Sequence, residues 1–117
     1  MRMTSLFALA MLSAASPAFA HAMLERASPP VGSDVTTAPH EIALTFTEGV
    51  EPLFSTIELR DANRAVVPIA KPQTDHGNTH RLIVELPSLG SGSYMVIWLV
   101  TSVDTHKTEG SFQFTVK

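Results

Sequence analysis

Short runs of alternating apolar and polar residues recur along this chain and limit the folds it can adopt. In the clearest run, residues 41–47, every second side chain is apolar: Ile42, Leu44 and Phe46. The C-terminal run repeats the pattern with Phe112, Phe114 and Val116. A period of two is typical of β-strands with one buried face. Proline and β-branched residues recur too often for a long helix.

Clusters of turn-forming residues separate these runs at intervals of about ten residues, a spacing typical of all-β sandwiches and barrels. The pattern predicts about seven strands: residues 23–27, 41–47, 54–59, 65–69, 80–86, 93–103 and 112–116. The polar segment 71–78 is predicted to be a loop, and residues 48–53 have room for a single turn. We therefore predict an all-β fold, a seven-stranded antiparallel Greek-key β-barrel or immunoglobulin-like sandwich.

The first 20 residues have the three parts of a secretory signal peptide. A basic start at Arg2 is followed by an apolar run and by Ala18-Phe19-Ala20, an A-x-A ending. The apolar run is shorter than the roughly 20 residues that a membrane span needs. We predict a signal peptide over 1–20, a single domain over 21–117 without a membrane span, and export of this domain from the cytoplasm. The alternative is an N-terminal anchor that stays uncut.

Composition excludes several classes of function. The chain has no cysteine, which rules out zinc fingers, iron–sulfur clusters and thiol chemistry. Its formal net charge is −3, and removal of Arg2 with the signal peptide makes it −4. A mildly acidic domain without a basic run lacks the electrostatic footprint of nucleic-acid binding.

Cleavage after Ala20 would make His21 the first residue of the domain. A free α-amine and the Nδ1 atom of the same histidine can close a six-membered chelate ring on a metal ion, so one residue supplies two nitrogen ligands. The peptide nitrogen of the uncut chain has no comparable lone pair. The simpler interpretation is that any residue can follow a cleavage site, although histidine is an uncommon one.

Asp104-Thr105-His106 lies in the predicted turn before the last strand. A spacing of two places both side chains on one side of an extended backbone, although D-x-H alone is a weak signal. In a sandwich, the first strand and the last hairpin can reach the same end of the molecule. The amine and imidazole of His21 would then join Asp104 and His106 in a set of three nitrogens and one oxygen, which favours Cu(II).

The chain resembles the CopC (PcoC-like) family of periplasmic copper-resistance proteins over nearly all of residues 21–117. The resemblance rests on His21 at the cleavage site and on five motifs: Ala27-Ser28-Pro29-Pro30-Val31-Gly32-Ser33, Leu44-Thr45-Phe46-Thr47-Glu48, Gly92-Ser93-Tyr94, Trp98 followed by Ser102-Val103-Asp104-Thr105-His106, and Gly110-Ser111-Phe112-Gln113-Phe114.

This resemblance implies a seven-stranded Greek-key barrel that binds one Cu(II) ion per mature chain through His21, Asp104 and His106. It also implies a glutamate near the site, Glu48, that would orient the amine or an apical water. The expected role is that of a periplasmic copper carrier or buffer, which delivers to an inner-membrane transporter of the CopD type and catalyses no reaction. Some family members have a methionine-rich Cu(I) loop, but residues 66–80 contain no methionine.

Other candidate residues have simpler interpretations. Met23, Met95 and Trp98 are predicted to fill the core, and His40 to be a solvated turn residue. His76 and His80 lie four residues apart, a spacing that does not force them onto one metal ion in a strand or a loop.

Two other classes of function stay open. The first is a copper enzyme of the lytic monooxygenase type, in which an amine and two histidines form the copper centre. Against it, Asp104 would fill a position that oxygen chemistry needs open. The second is an immunoglobulin-like interaction module that binds no metal.

Overall fold

The computed structural model describes residues 21–117, so the predicted signal peptide lies outside the described residues. Nine strands form: β1 Leu24–Ser28, β2 Asp34–Val35, β3 Glu41–Phe46, β4 Thr56–Arg60, β5 Val66–Val67, β6 Gln73–Asp75, β7 Asn78–Glu85, β8 Gly92–Thr101 and β9 Lys107–Val116. The only helical element among the described residues is a 3-10 turn, Pro52–Phe54. No helix within 21–117 is long and apolar enough to cross a membrane. The all-β prediction is confirmed.

The strands form two sheets. One has the order β1-β3-β7-β6 and the other the order β2-β9-β8-β4-β5. The count exceeds the predicted seven because β2 and β6 were not predicted, and β6 lies in the expected loop 71–78. One pairing departs from the predicted antiparallel arrangement, because β2 runs parallel to β9 at one edge.

Alternate residues of the central strands point between the two sheets and form the core. Ile42, Leu44 and Phe46 of β3 are buried, as are Phe112, Phe114 and Val116 of β9. The indole of Trp98 packs edge-on against Phe46, with ring centroids 5.3 Å apart, which confirms its place in the core. The prediction that both methionines fill the core is wrong, because Met23 is 61% exposed and Met95 is half-buried on the outer face of β8.

One end of the sandwich gathers three segments of the chain. After β3, residues 47–51 cross to the other sheet, and the Val50 N–H donates to the Thr79 carbonyl at 2.9 Å. Val50 also forms an isolated β-bridge with Ser102, and the Val103 N–H donates to the Gly49 carbonyl at 2.9 Å. The turn that connects β8 to β9 is thereby fixed at the end where the N-terminal segment begins.

Candidate metal centre

Both sheets hold the N-terminal segment in place. Ala22 is buried and its carbonyl accepts a hydrogen bond from Thr108 Oγ1 at 2.7 Å. Thr47 fixes the neighbouring residues: its Oγ1 accepts from the Met23 N–H at 3.0 Å, and its N–H donates to the Met23 carbonyl at 2.9 Å. His21 lies just before these anchors, and Thr47 Oγ1 also contacts its carbonyl oxygen at 3.3 Å. His21 is therefore an exposed side chain on a fixed backbone.

The turn between β8 and β9 carries the other two predicted ligands. It is closed by hydrogen bonds from the Ser102 N–H to the His106 carbonyl at 2.8 Å and from the Thr105 N–H to the Ser102 carbonyl at 2.9 Å. Thr105 has a φ of 75°, a left-handed conformation that costs a β-branched residue about 1–2 kcal/mol. Such strain persists only where the surrounding structure enforces it, and it is often found at functional sites.

The Asp104 carboxylate lies between Ser102 and His106. Its Oδ1 accepts from the Ser102 hydroxyl and from the His106 N–H at 3.4 Å, while Oδ2 lies 3.2 Å from His106 Nδ1. The hydrogen bond from Ser102, and then that from His106, lower the pKa of Asp104 below its ordinary value of 3.8. These hydrogen bonds to the carboxylate stabilise the fold at pH values above the ordinary pKa of Asp104. The stabilisation is lost as the pH falls through the lowered pKa. Asp104, like an ordinary aspartate, is ionised near neutral pH, and the shift extends the ionised range to more acidic pH.

The imidazole rings of His21 and His106 meet across the gap between the N-terminus and the turn. Their centroids are 5.5 Å apart and their planes are inclined by 79°. An ion about 2.0–2.1 Å from an imidazole nitrogen lies about 3 Å from the ring centroid, so two rings that share an ion can have centroids up to about 6 Å apart. The two rings are thus close enough to bind one ion.

The pair Asp104–His106 also fits a shared ion. Two ligand atoms at right angles around an ion, each about 2.0–2.1 Å from it, are about 2.9 Å apart. The 3.2 Å between Oδ2 and Nδ1 is close to this separation. Within 21–117, no three His, Asp or Glu side chains already have a metal-binding arrangement. The predicted fourth donor is the amine of His21, whose nitrogen is a peptide nitrogen while Ala20 precedes it.

The other candidate residues from the sequence lie at different distances from this site. Glu48 is half-buried in the crossing segment, next to Gly49, so it lies at the same end; its orienting role stays a prediction. His80 Nδ1 lies 3.3 Å from the Phe46 carbonyl, whereas His76 projects from the β6–β7 turn beside Asp75. His76 and His80 therefore have different neighbours, and the geometry does not favour a second metal site. His40 is exposed at the opposite end.

Three further residues build the site, and they were not predicted: Thr47, Thr108 and Ser102. The spacing of Ser102, Asp104 and His106 did not indicate this role, because residues 102–106 form a turn rather than an extended segment, and the turn brings the Ser102 hydroxyl to Asp104.

A family model described as "CopC domain" matches residues 24–117. The chain belongs to the CopC family. Among relatives, it is 39% identical over 115 residues to Protein YobA of Escherichia coli K12, which covers 95% of this chain and 93% of YobA. It is 34% identical over 122 residues to Copper resistance protein C of Xanthomonas campestris pv. juglandis, covering 97% and 94% of the two chains.

A third relative is the Copper transport protein CutJ of Bacillus subtilis, which is 30% identical over 99 residues. The match covers 84% of this chain but 18% of CutJ, so the CopC-like region is a small part of that longer protein. Among solved structures, CopC from Methylosinus trichosporium OB3b superposes with a TM-score of 0.79 at 34% identity, covering 83% of this chain and 94% of that one. The sandwich is therefore the fold of the CopC family.

Proposed function

We propose that this CopC-family chain is a periplasmic copper carrier or buffer that binds one Cu(II) ion after cleavage of residues 1–20. The ion would be held by the amine and imidazole of His21, by Asp104 and by His106. The observation that carries the proposal is the 5.5 Å approach of the His21 and His106 rings beside the Asp104 carboxylate. The names of two relatives, a copper resistance protein and a copper transport protein, support copper as the metal.

The chemistry of the donors favours Cu(II). Three nitrogens and one oxygen suit a tetragonal site, and Cu(II) has the highest affinity in the divalent series. The absence of cysteine removes the thiolate that a blue-copper electron-transfer site requires. Asp104, whose carboxylate accepts hydrogen bonds from Ser102 and His106, supplies a negative charge without first losing a proton at neutral pH.

The openness of the site suits transfer of the ion better than catalysis. The side chains of Asp104 and His106 are 44% and 42% exposed, so an incoming ligand can reach the ion. The Asp104 carboxylate would occupy the position that a lytic-monooxygenase type of copper enzyme needs for oxygen. We therefore assign no catalytic residue.

Titration of the chain that begins at His21 tests the proposal. We expect one Cu(II) ion per chain, in competition with a chelator of known affinity. Binding should weaken at acidic pH, because nitrogen ligands bind a metal ion only in their unprotonated form. The variant His40→Ala, at the opposite end, is the control and should bind equally well. A stoichiometry near zero in the folded chain would refute the proposal.

We further propose that the copper is delivered to an inner-membrane transporter of the CopD type. In CutJ the CopC-like region covers 18% of a protein named for copper transport, which supports a functional link between the domain and a transporter. Near the site, Leu53 and Phe54 of the 3-10 turn are 91% and 71% exposed. Thr101 Oγ1 donates to the Phe54 carbonyl at 2.8 Å, which fixes this apolar turn against β8.

The double substitution Leu53→Ser, Phe54→Ser should slow copper delivery. Apolar anchors at the centre of an interface often contribute 2 kcal/mol or more, so we expect the rate of transfer to fall at least about tenfold. The measurement is transfer of bound copper to inner-membrane vesicles that contain the CopD-type transporter. Cu(II) affinity should not change, and the control Val31→Ser, which alters an exposed apolar residue at the far end, should transfer normally. Equal rates for the double variant and the native chain would argue against delivery through this surface.

A further inference from the structure

Ser102 is a buried polar residue at the base of the turn that carries Asp104 and His106. It is 1% exposed, and its hydroxyl oxygen contacts both Asp104 Oδ1 and the His106 carbonyl, the latter at 3.1 Å. The His106 carbonyl already accepts the Ser102 N–H at 2.8 Å. A carboxylate is also the stronger acceptor. The hydroxyl proton of Ser102 is therefore directed to Asp104.

This hydrogen bond makes the two oxygens of Asp104 unequal. Oδ1 receives the Ser102 hydroxyl and the His106 N–H, whereas Oδ2 faces His106 Nδ1. Only Oδ2 is then directed to the place where a shared ion would lie. A buried donor with a fixed backbone holds the carboxylate more firmly than water would, because Asp104 itself is exposed and its other two contacts, with the N–H and Nδ1 of His106, are longer.

We propose that Ser102 is a positioning residue of the copper site, which makes Asp104 a one-oxygen ligand through Oδ2. The inference rests on the proposed function and adds a determinant of metal selectivity. A carboxylate that offers one oxygen suits the four-ligand plane of Cu(II), whereas Ca²⁺ takes six to eight oxygens and often both oxygens of a carboxylate. Ser102 thus favours Cu(II) over metals that prefer a two-oxygen carboxylate.

The test is Ser102→Ala in the chain that begins at His21. Loss of a residue that orients a metal ligand typically costs about 10–100-fold in affinity, and we expect Cu(II) affinity to fall by that factor. The Cu(II) spin-resonance parameters should also shift, because Asp104 no longer presents a single oxygen. The matched control is Ser55→Ala, which removes another buried serine hydroxyl at this end, one that donates to the Glu51 carbonyl at 2.7 Å. Ser55→Ala should keep the native affinity and spectrum.

A double-mutant cycle separates positioning from a general loss of structure. In the Asp104→Ala background, Ser102→Ala should cause no further loss of Cu(II) affinity, because its effect acts through the carboxylate. An equal loss in both backgrounds would overturn the inference. If Ser102→Ala does not fold, Asp104→Glu decides instead: the longer side chain moves the carboxylate away from Ser102, and binding should weaken about tenfold or more. Native affinity in Asp104→Glu would then overturn the inference.

The two proposals fail differently. If the native chain binds no copper, the proposed function is wrong. If the native chain binds copper and Ser102→Ala binds it with the same affinity and spectrum, only the role of Ser102 is wrong.

Discussion

In the chain that begins at His21, one additional residue ahead of this histidine is expected to weaken Cu(II) binding by about 10²–10⁴-fold, the usual gain from tethering a second binding group to the first. The extra residue converts the amine of His21 into a peptide nitrogen, which can bind the ion only after it loses its own proton. The imidazole of His21 remains, so the variant measures the contribution of the amine to copper binding apart from that of the side chain. The measurement is competition with a chelator, with circular dichroism to confirm the fold.

Met23→Leu is a suitable control for this extension. It changes an exposed side chain of the same segment but keeps the nitrogen of His21 a primary amine. We expect its Cu(II) affinity to equal that of the native chain. If the extended chain binds copper with both native affinity and an unchanged Cu(II) spin-resonance spectrum, the amine of His21 is not a ligand and the N-terminal chelate is refuted.

Gly110→Ala is expected to destabilise the fold by about 2–3 kcal/mol. Gly110 of β9 lies opposite Trp98 of β8, and a Cβ atom at this position would be 2.4 Å and 2.8 Å from the Cζ2 and Cε2 atoms of the indole. The ring cannot move aside easily, because it packs against Phe46 in the core. For a domain of this size, the loss corresponds to a decrease in Tm of roughly 10–20 °C.

Thermal unfolding of Gly110→Ala and Gly90→Ala compares the two glycines directly. A Cβ atom at Gly90 would meet no atom within 4 Å, so its Tm should change little. A Tm of Gly110→Ala within a few degrees of the native value would mean that the indole does not close over β9 as the structure shows.

The strands that could be predicted from the sequence are those with a clear pattern of apolar residues within the strand itself. The alternation in β3 and β9 and the apolar β8 identified the central strands, because these residues face the core. β2 and β6 have two and three residues, and their pairing depends on the neighbouring strand rather than on their own sequence. Met23 was wrongly predicted to be buried. Ala22 is the buried residue of this segment, and because side chains alternate along an extended chain, the next one, Met23, points outward.

In the candidate site, too, the residues with a local sequence pattern were predicted, and those whose role depends on distant contacts were not. His21 and Asp104-x-His106 were predicted because cleavage and a spacing of two are visible along the chain. The contacts of Thr47 and Thr108 with the N-terminal segment join residues 26 and 86 positions apart. No local pattern indicates such contacts, since they arise only when the two sheets pack together.

Cu(II) spin resonance with selective ¹⁵N labelling of histidine tests the central claim most directly. With one equivalent of copper bound to the chain that begins at His21, we expect a tetragonal signal with coupling to two imidazoles and to one amine nitrogen. His106→Ala should remove one of the imidazole couplings. A signal from a single imidazole, or a spectrum that His106→Ala leaves unchanged, would contradict an ion shared between the N-terminus and the β8–β9 turn.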